Sequence, residues 1–501
     1  MLALLVLPSS AAAGPVLVLG HHGHATTRND PYLSGPALTP APATSRLRSL
    51  ARGRRAAPRP ADAPTDARAA RAGVARSLGR QGVKRPEKTV TSELSQLLRS
   101  GAISAGAYTL YRSGFTQALA AERRLHGARR TELTAVTQTL HQIAADGTLT
   151  ASRLPALFTI LSRNLQWWTT GPLLAPGQRV EFAGDQLVWE YYPGQGIQLQ
   201  VLGTFGRANG LYSSGTAGYP ALQQLMAEMI PLAAQRGSSL AWEYYFTFDG
   251  GRPPWTSAMS QATGLQALSH AYLATKDPSY LSVAGQALPL FTAPPPSGVQ
   301  VPAPSGTRYL QYTFAPSTSI INAFLQTLIG LDTYAQVSGD PRAAALFSAG
   351  NTEAMAEVPS FDTGAWSLYA PGSEDDLSYH ELVTGFLSQL CTLTGAPVYC
   401  TTAQHFTADL ATAPTLAQLT LRGRAKHPTR LRFLLSKLSH VAITVTQGTH
   451  PVFATSASFP YGADSFIVPA QSRPGTYGVL LAATDQASNP QQITGTLQIS
   501  R

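Results

Sequence analysis

Three stretches in the middle of the chain share one hydrophobic pattern, in which an apolar helical segment ends in a small polar turn and a proline. They lie at 265–278, 325–341 and 386–397, and their prolines are 63 and 56 residues apart. A second helical segment follows each proline, so the repeating unit is a helical hairpin. Hairpins that cannot bury both faces alone pack side by side, which predicts an α/α toroid whose inner helices line a cleft.

The residues before these hairpins are also patterned. Apolar positions recur as on helix faces after residue 89, and we predict a helical lead-in domain over 89–187. Residues 180–192 alternate as short strands and are followed by a helix at about 197–207. A further helix is expected at 219–235, and the aromatic stretch 240–248 predicts a strong strand.

The stretch 308–324 combines strand and helix signals. We predict a tyrosine-bearing strand at 308–314 that turns at Pro316 and enters a helix there, because proline is tolerated in a first helical turn. Tyr312 then lies just before a helix start and can face a cleft. The alternative is that Tyr309 and Tyr312 are only half-buried strand aromatics.

From about residue 414 the hydrophobic period changes from helical spacing to two. This predicts a small antiparallel β-sandwich over 414–501, of the immunoglobulin or fibronectin type. It carries no catalytic motif, and we assign it to binding, spacing or surface display. The chain is therefore predicted to be mainly α: an α/α toroid, or incomplete α/α barrel, at 188–413, with short strands at its rim at 308–314 and 364–369.

Charge is concentrated near the N-terminus. The chain has a net charge of +10, but residues 1–90 hold 14 Lys or Arg and 4 Asp or Glu, so the remainder is neutral. Residues 26–88 are too rich in Ala, Pro and Arg to build a core, which predicts a disordered tether and not a nucleic-acid-binding surface. A basic tail of this kind can associate with anionic polymers or with a cell envelope.

Two features predict export. An apolar run followed by small residues makes 1–25 resemble a secretory leader, although the basic start of such a leader is missing. Cys391 and Cys400 flank a turn between two helical patterns, and a disulfide there agrees with an oxidising, extracellular or cell-envelope location. Two free buried thiols are the alternative. No later run approaches the roughly 18 to 20 apolar residues that span a membrane.

The standard catalytic motifs are absent from the sequence. HHGH at 21–24 lies in the leader region, where no fold would preorganise a metal site, so we predict no metal and no cofactor. The acidic run 374–376 is typical of a solvated loop. What remains is a group of tyrosines on predicted rim segments, and such side chains line carbohydrate clefts because sugar rings stack on them. The group is Tyr192, Tyr244, Tyr245, Tyr309, Tyr312, Tyr369 and Tyr379.

Four segments in order resemble the D-glucuronyl C5-epimerases of the heparan sulfate type. PWTSAMSQ at 254–261, continuing to AYLATKD at 271–277, resembles one family segment, and YLQYTFAPSTSIINAF at 309–324 matches another without a gap. Asp362-Thr363-Gly364, Tyr369 and Tyr379-His380 follow the family order, and WEYYPGQGIQ at 189–198 is a weaker match. The similarity covers about 188–412.

The resemblance implies an activity and a set of residues. It implies inversion of C5 of uronic acid residues in an extracellular polysaccharide, of the D-glucuronate to L-iduronate type, with catalytic tyrosines at Tyr312, Tyr369 and Tyr379. A uronate polysaccharide lyase, which starts from the same C5 carbanion, and a non-catalytic glycan-binding protein are the alternatives. Implied substrate-binding residues are Tyr192, Trp255, Gln261, Arg308, Gln311, Asn322 and His380.

The chemistry sets a condition on these tyrosines. Inversion at C5 needs a base on one face of the sugar and an acid on the other. A tyrosine, with an ordinary pKa near 10, serves as a base only where positive charge or hydrogen bonds favour the phenolate. Arg308 and His380 are the candidates for that support. The chain departs from the family where Leu310-Gln311 replaces a Glu-Glu pair, and its sequence shows no clear counterpart of the family's β-rich N-terminal domain.

Overall fold

The computed structural model describes residues 13–20, 23–34, 88–418 and 422–501. Buried apolar side chains between Leu19 and Phe406 form one hydrophobic core, and a second core lies between Leu416 and Ile499. We call the described residues up to 412 the helical unit and residues 415–501 the C-terminal unit. The first twelve residues of the predicted leader, His21 and His22 of the HHGH stretch, and residues 35–87 of the predicted tether lie outside the described residues.

The described part of the helical unit contains twelve α-helices. The first four lie in the region predicted as a helical lead-in domain, and their buried faces belong to the same core as the later helices. The helices are α1 (Val90–Arg99), α2 (Ala105–Arg124), α3 (Gly127–Ala145), α4 (Leu154–Thr170), α5 (Val201–Ser213), α6 (Tyr219–Met229), α7 (Ala258–Thr275), α8 (Ser279–Ala287), α9 (Ile321–Ser338), α10 (Pro341–Glu357), α11 (Leu377–Thr394) and α12 (Pro397–Asp409).

The repeated helical hairpins predicted from the sequence are confirmed. They are α7–α8, α9–α10 and α11–α12, and the first helix of each packs beside the first helix of the next. Each first helix ends at a residue with left-handed backbone, Lys276, Gly339 or Gly395, with φ of 64°, 70° and 66°. This conformation turns the chain away from the helix axis, and the proline that follows within two residues cannot continue the preceding helix.

A five-stranded sheet packs against the helices, and the two N-terminal strands in it differ from the sequence analysis. The residues of β1 were assigned to the leader, and those of β2 to the leader and the tether. In the structure they form two strands, and β1 lies between β2 and β3. A short apolar strand has the composition of a leader, and the partners that bury it come about 160 residues later. The strands are β1 (Ala13–Leu19), β2 (Ala25–Ser34), β3 (Arg179–Phe182), β4 (Trp189–Tyr192) and β5 (Gly196–Leu199), in the order β2-β1-β3-β4-β5.

This sheet has an apolar face and a polar face, both buried. Trp189 and Tyr191 lie on the apolar face, where Tyr191 makes an edge contact with Trp168 of α4. On the other face Arg179, Glu190 and Gln198 lie directly opposite one another on β3, β4 and β5. The polar row is therefore enclosed between the sheet and the helices that follow it.

Several predicted strand and helix bounds are wrong near the hairpins. The aromatic stretch 240–248 is a strand only at its beginning, in the small hairpin β6 (Ala234–Arg236) and β7 (Ser239–Ala241). Its later aromatics bury their rings in the core, so their composition reflects packing and not strand pairing. The helix predicted at 197–207 begins only at Val201, because the residues before it complete β5.

Helix α9 starts at Ile321 and not at Pro316. The strand before it, β9 (Thr307–Tyr309), pairs with β8 (Gln300–Pro302) and is shorter than predicted. The main chain after β9 is bonded elsewhere: the Leu310 carbonyl accepts from the Ala258 amide at 2.9 Å, and the Thr313 amide donates to the Thr256 carbonyl at 3.1 Å. These bonds hold residues 310–313 extended beside the start of α7. The chain then makes two turns before the helix begins, in which the Ala315 amide donates to the Tyr312 carbonyl and the Thr318 amide to the Ala315 carbonyl, both at 3.1 Å.

The C-terminal unit consists of two sheets that share one core, in the orders β12-β14-β17 and β13-β19-β18-β15-β16. The period-two pattern of the sequence corresponds to the strands β14, β15, β17, β18 and β19. Strand β16 was missed because almost all of its side chains are exposed, which leaves no alternation. The strands are β12 (Leu416–Gln418), β13 (Arg422–Arg424), β14 (Thr429–Leu435), β15 (Ser439–Gln447), β16 (His450–Phe459), β17 (Gly462–Val468), β18 (Gly475–Asp485) and β19 (Pro490–Ser500).

A disulfide joins Cys391 of α11 to Cys400 of α12, as predicted. It ties the two helices of the last hairpin together across their connecting turn. In the part of the chain that the structure describes, no helix is both long and apolar enough to cross a membrane.

Candidate active site

Three tyrosines that are distant in sequence come together in the helical unit. Tyr312 lies in the loop between β9 and α9, Tyr369 lies on β10 (Leu368–Ala370), and Tyr379 lies in the first turn of α11. The rings of Tyr369 and Tyr379 meet edge to face at 5.1 Å, and the Tyr312 hydroxyl is within hydrogen-bonding reach of Tyr369. We call these residues the tyrosine cluster. It is the set that the family resemblance implied.

Aromatic side chains enclose Tyr312. Its ring stacks on Phe314 with centroids 5.2 Å apart and meets the edge of Trp255 at 5.8 Å. Trp255 is stacked in turn on Tyr244 at 4.2 Å, and its indole N–H donates to the Phe246 carbonyl at 2.8 Å. Trp255, predicted to bind substrate, thus forms a fixed wall beside the tyrosine. A wall of this kind suits the apolar face of a sugar ring.

The environment of Tyr312 favours the neutral phenol. Burial raises the pKa of Tyr312 well above its usual value of 10.0, and the neighbouring Tyr369 raises it further. A hydrogen bond from Gln311 opposes this by lowering the pKa. The Gln311 side chain is itself oriented by the Ser257 hydroxyl, which donates to its amide oxygen at 3.0 Å. Tyr312 therefore holds its proton at neutral pH and can donate it.

Arg308 is paired with carboxylates of α10. Its guanidinium pairs with Glu357 and lies 3.9 Å from Glu353, both on α10. Burial raises the pKa of Glu357 to about 7, while Arg308 lowers it. The contacts described for Arg308 are thus with these buried carboxylates, and its expected support of a phenolate stays a prediction.

His380 is also engaged in the fold. Its Nε2 donates to the Phe406 carbonyl at 2.9 Å, so in the neutral ring Nδ1 accepts from the Ser367 amide at 3.2 Å. The ring stacks on Trp366 with centroids 3.7 Å apart. Burial lowers the pKa of His380 to about 4, so the side chain is neutral at physiological pH. It orients the helix that carries Tyr379 and supplies no positive charge.

The remaining predicted substrate-binding residues, Gln261, Asn322 and Tyr192, have different surroundings. Gln261 binds the main chain of Trp242 at both ends of its amide, at 3.0 and 2.8 Å, and so stabilises the fold. Asn322 is buried at the start of α9, and its side-chain oxygen has no hydrogen-bond partner among the described residues. Tyr192 accepts a hydrogen bond from Gln200 at 2.8 Å, at the margin of the aromatic wall.

Sequence reasoning missed a buried carboxylate beside Tyr192. Glu190 is fully buried, neither of its oxygens has a hydrogen bond within 3.5 Å among the described residues, and burial raises its pKa to about 7. Arg179, its partner across the strands, opposes this shift. The sequence signal was a charged residue, Glu190, within the aromatic strand WEYY. Nothing in that strand indicated that the glutamate is exposed.

Residues 235–408 match the family described as D-glucuronyl C5-epimerase C-terminus. A D-glucuronyl C5-epimerase of Caenorhabditis elegans is 31% identical over 130 residues, which cover 23% of this chain and 21% of that protein. An uncharacterized protein of Methanocaldococcus jannaschii is 27% identical over 168 residues, covering 32% of this chain and 54% of that one. The chain thus spans about a fifth and about half of these relatives. The family resemblance is confirmed for residues 235–408.

Among solved structures, the chain is similar to a sugar epimerase from a ruminal bacterium, with 8% identity and a TM-score of 0.34, covering 51% of this chain and 69% of that one. It is also similar to a cellobiose 2-epimerase from Spirochaeta thermophila, with 16% identity and a TM-score of 0.32, covering 56% and 72%. Both TM-scores lie below 0.5, and neither similarity bears on the site.

Proposed function

We propose that this protein is a carbohydrate epimerase that inverts C5 of uronic acid residues, of the D-glucuronate to L-iduronate type, in an extracellular polysaccharide. The observation that carries the proposal is the tyrosine cluster. Tyr312, Tyr369 and Tyr379 come from three separate elements, lie within the residues that match the epimerase family, and meet beside an aromatic wall.

The proposed reaction is a pair of proton transfers. The C5–H bond lies next to the carboxylate of the uronate, so its proton can leave to a phenolate while the electron pair delocalises into the carboxylate. A second tyrosine then gives its proton to C5 from the opposite face. Tyr312, whose buried phenol is neutral, is the proton donor, and Tyr379 supplies the base. The two tyrosines exchange protonation states, and proton exchange with solvent restores them.

The chain offers few donors for the charge that develops on the substrate carboxylate. The Gln311 amide and the Tyr369 hydroxyl adjoin Tyr312 and are the groups assigned to this task. The neutral His380 and the paired Arg308 take no part in it. Transition-state stabilisation would therefore come from hydrogen bonds in a dry site, where they are stronger than in water.

The proposal includes an architecture and a location. The three consecutive hairpins would form part of an incomplete α/α toroid that opens at the tyrosine cluster, and the two C-terminal sheets would pack as a β-sandwich. The disulfide between Cys391 and Cys400 supports export, because such bonds persist outside the reducing cytosol. The substrate would then be a secreted or envelope polysaccharide.

Proton exchange at C5 tests the function directly. The protein is incubated with glucuronate-containing polysaccharides in deuterated water, and deuterium at C5 is measured by NMR. Exchange without chain cleavage, accompanied by iduronate signals, is the expected result. New 4,5-unsaturated chain ends would mean a lyase. Retained binding across a panel of glucuronate polymers with neither exchange nor cleavage would mean a glycan-binding protein and would overturn the proposal.

A further inference from the structure

The segment that carries Tyr369 is bonded to the C-terminal unit. Strand β10 pairs with β11 (Ser373–Glu374), and the Glu374 side chain reaches the C-terminal unit. Its carboxylate accepts the Leu438 amide at 2.8 Å and the Tyr461 amide at 2.6 Å, in the connections before β15 and β17. Glu374 is therefore buried, whereas the acidic run 374–376 was expected to be a solvated loop, and its carboxylate fixes the β10–β11 hairpin against two loops of the other unit.

The helix that carries Tyr379 is bonded to the same unit. The first amides of a helix have no partner within it, and side chains usually satisfy them. At the start of α11 the Asp376 carboxylate accepts the Tyr379 amide at 3.1 Å, and the Leu377 amide donates to the side-chain oxygen of Gln486 at 2.5 Å. Gln486 follows β18, so the N-terminus of α11 is capped in part by the C-terminal unit.

A buried lysine closes the contact between the units. The Lys437 side chain is 2% exposed and its ammonium pairs with Asp485 at 2.7 Å. It also donates to the Asp409 carbonyl at 2.8 Å and lies 5.1 Å from the centre of the Trp366 ring. Trp366 stacks on His380, the neighbour of Tyr379. The Lys437 side chain thereby links the C-terminal unit to the end of α12 and to the aromatic pair beside Tyr379.

We propose that the C-terminal unit is a positioning element of the tyrosine cluster, in which Glu374 and Gln486 fix the Tyr369 and Tyr379 segments relative to Tyr312. Tyr312 itself is held from the other side, by Gln311 and the start of α7. Proton transfer tolerates only small displacements of the reacting groups, and a shift of 1 Å can cost about 10²-fold in rate. The inference about rate rests on the proposed epimerase function, whereas the inference about position does not.

The test uses Gln486→Ala in the full chain, with Asn489→Ala as the matched control. Asn489 also crosses between the units, donating to the Leu410 carbonyl at 2.9 Å and, within the C-terminal unit, to the Asp485 carboxylate at 3.0 Å. It forms no direct hydrogen bond with either tyrosine segment among the described residues. Gln486→Ala is expected to lower kcat for C5 exchange by about 10-fold or more, with KM within about 2-fold. Gln486→Glu keeps the acceptor and adds a favourable charge at a helix N-terminus, so it should restore kcat.

The position of the Tyr379 segment can be measured without an activity assay. Hydrogen exchange of the amides of 377–380 and the NMR line shape of ¹³C-labelled Tyr379 should change in Gln486→Ala and remain unchanged in Asn489→Ala. If the protein shows no C5 exchange on any polymer, the proposed function fails while these measurements still decide the positioning role. Unchanged amide exchange in Gln486→Ala, or equal losses of kcat in Gln486→Ala and Asn489→Ala, would overturn it.

Discussion

The residue assignment can be tested by comparing two tyrosines three positions apart. Tyr312 and Tyr309 are both buried, both lie in aromatic surroundings and both use their hydroxyl groups. The Tyr309 hydroxyl donates to the Leu346 carbonyl at 2.7 Å and has no part in the tyrosine cluster. A Tyr→Phe change at either position keeps the ring and removes one oxygen. The pair therefore separates the loss of a proton from the loss of a buried hydrogen bond.

The expected magnitudes differ in kind. Tyr309→Phe removes one buried hydrogen bond while the Leu346 carbonyl keeps its bond within α10, which costs about 0.5 to 1.5 kcal/mol of the free energy of unfolding. Its rate of C5 exchange should be unchanged. Tyr312→Phe removes the proposed proton donor, and positioned acid–base catalysis contributes about 10²- to 10⁴-fold. This corresponds to ~3 to 5 kcal/mol of transition-state stabilisation. Tyr379→Phe, on the opposite side of the cluster, should lose activity by a similar factor.

Two measurements decide the comparison. Deuterium incorporation at C5 gives kcat and KM on a polymer turned over by the unmodified protein, and urea unfolding gives stability. Tyr312→Phe should lower kcat and leave KM little changed, since stacking on Phe314 and Trp255 remains. If Tyr312→Phe and Tyr379→Phe both retain C5 exchange, the assignment is wrong, and Tyr312 is a packing residue like Tyr309.

Three further predictions concern other features. Gln311→Glu restores the carboxylate of the family pattern beside Tyr312 and should raise the rate on a glucuronate polymer; a lower C5-exchange rate would contradict a supporting role. The folded pKa of Glu190 is raised to about 7 from 4.5, so its contribution to stability is present below pH 4.5 and lost as the pH rises through 7. The free energy of unfolding of Glu190→Gln, relative to that of the unmodified protein, should therefore increase by about 3 kcal/mol from pH 4 to pH 8. Urea unfolding at both pH values measures this difference. A pH-independent difference would refute the buried ionisation. Replacing Cys391 and Cys400 together by Ser should cost about 2 to 3 kcal/mol for a loop of this length, and mass spectrometry that found both thiols alkylated without reduction would contradict the bridge.

The sequence predicted the parts of the fold that depend on nearby residues. The helical hairpins could be read because apolar helical segments, polar turns and prolines recur at each of them, and the C-terminal strands because one face is buried and the other exposed. The disulfide followed from a turn between two helices. Strand β1 and the start of α9 could not be read, because partners far away in sequence decide both.

The sequence predicted which residues form the site better than it predicted their interactions. The resemblance supplied Tyr312, Tyr369 and Tyr379, which the fold brings together, but the pairing of Arg308 with Glu357 and of His380 with Phe406 depends on tertiary packing. Neither partner is close in sequence to the residue it binds. Glu190 was overlooked for the same reason, since only the folded sheet buries it.

The position of β1 has a consequence for the order in which the protein can fold during synthesis. Val16 leaves the ribosome first, yet its parallel partner Arg179 follows about 160 residues later. At ~5 to 20 residues per second, the strand waits on the order of 10 to 30 s for that edge to exist. Until then the hairpin of β1 and β2 carries an unpaired apolar edge, the kind of surface that pairs with other chains. A chaperone or rapid export would therefore matter most for yield while this hairpin has been synthesised and β3 has not.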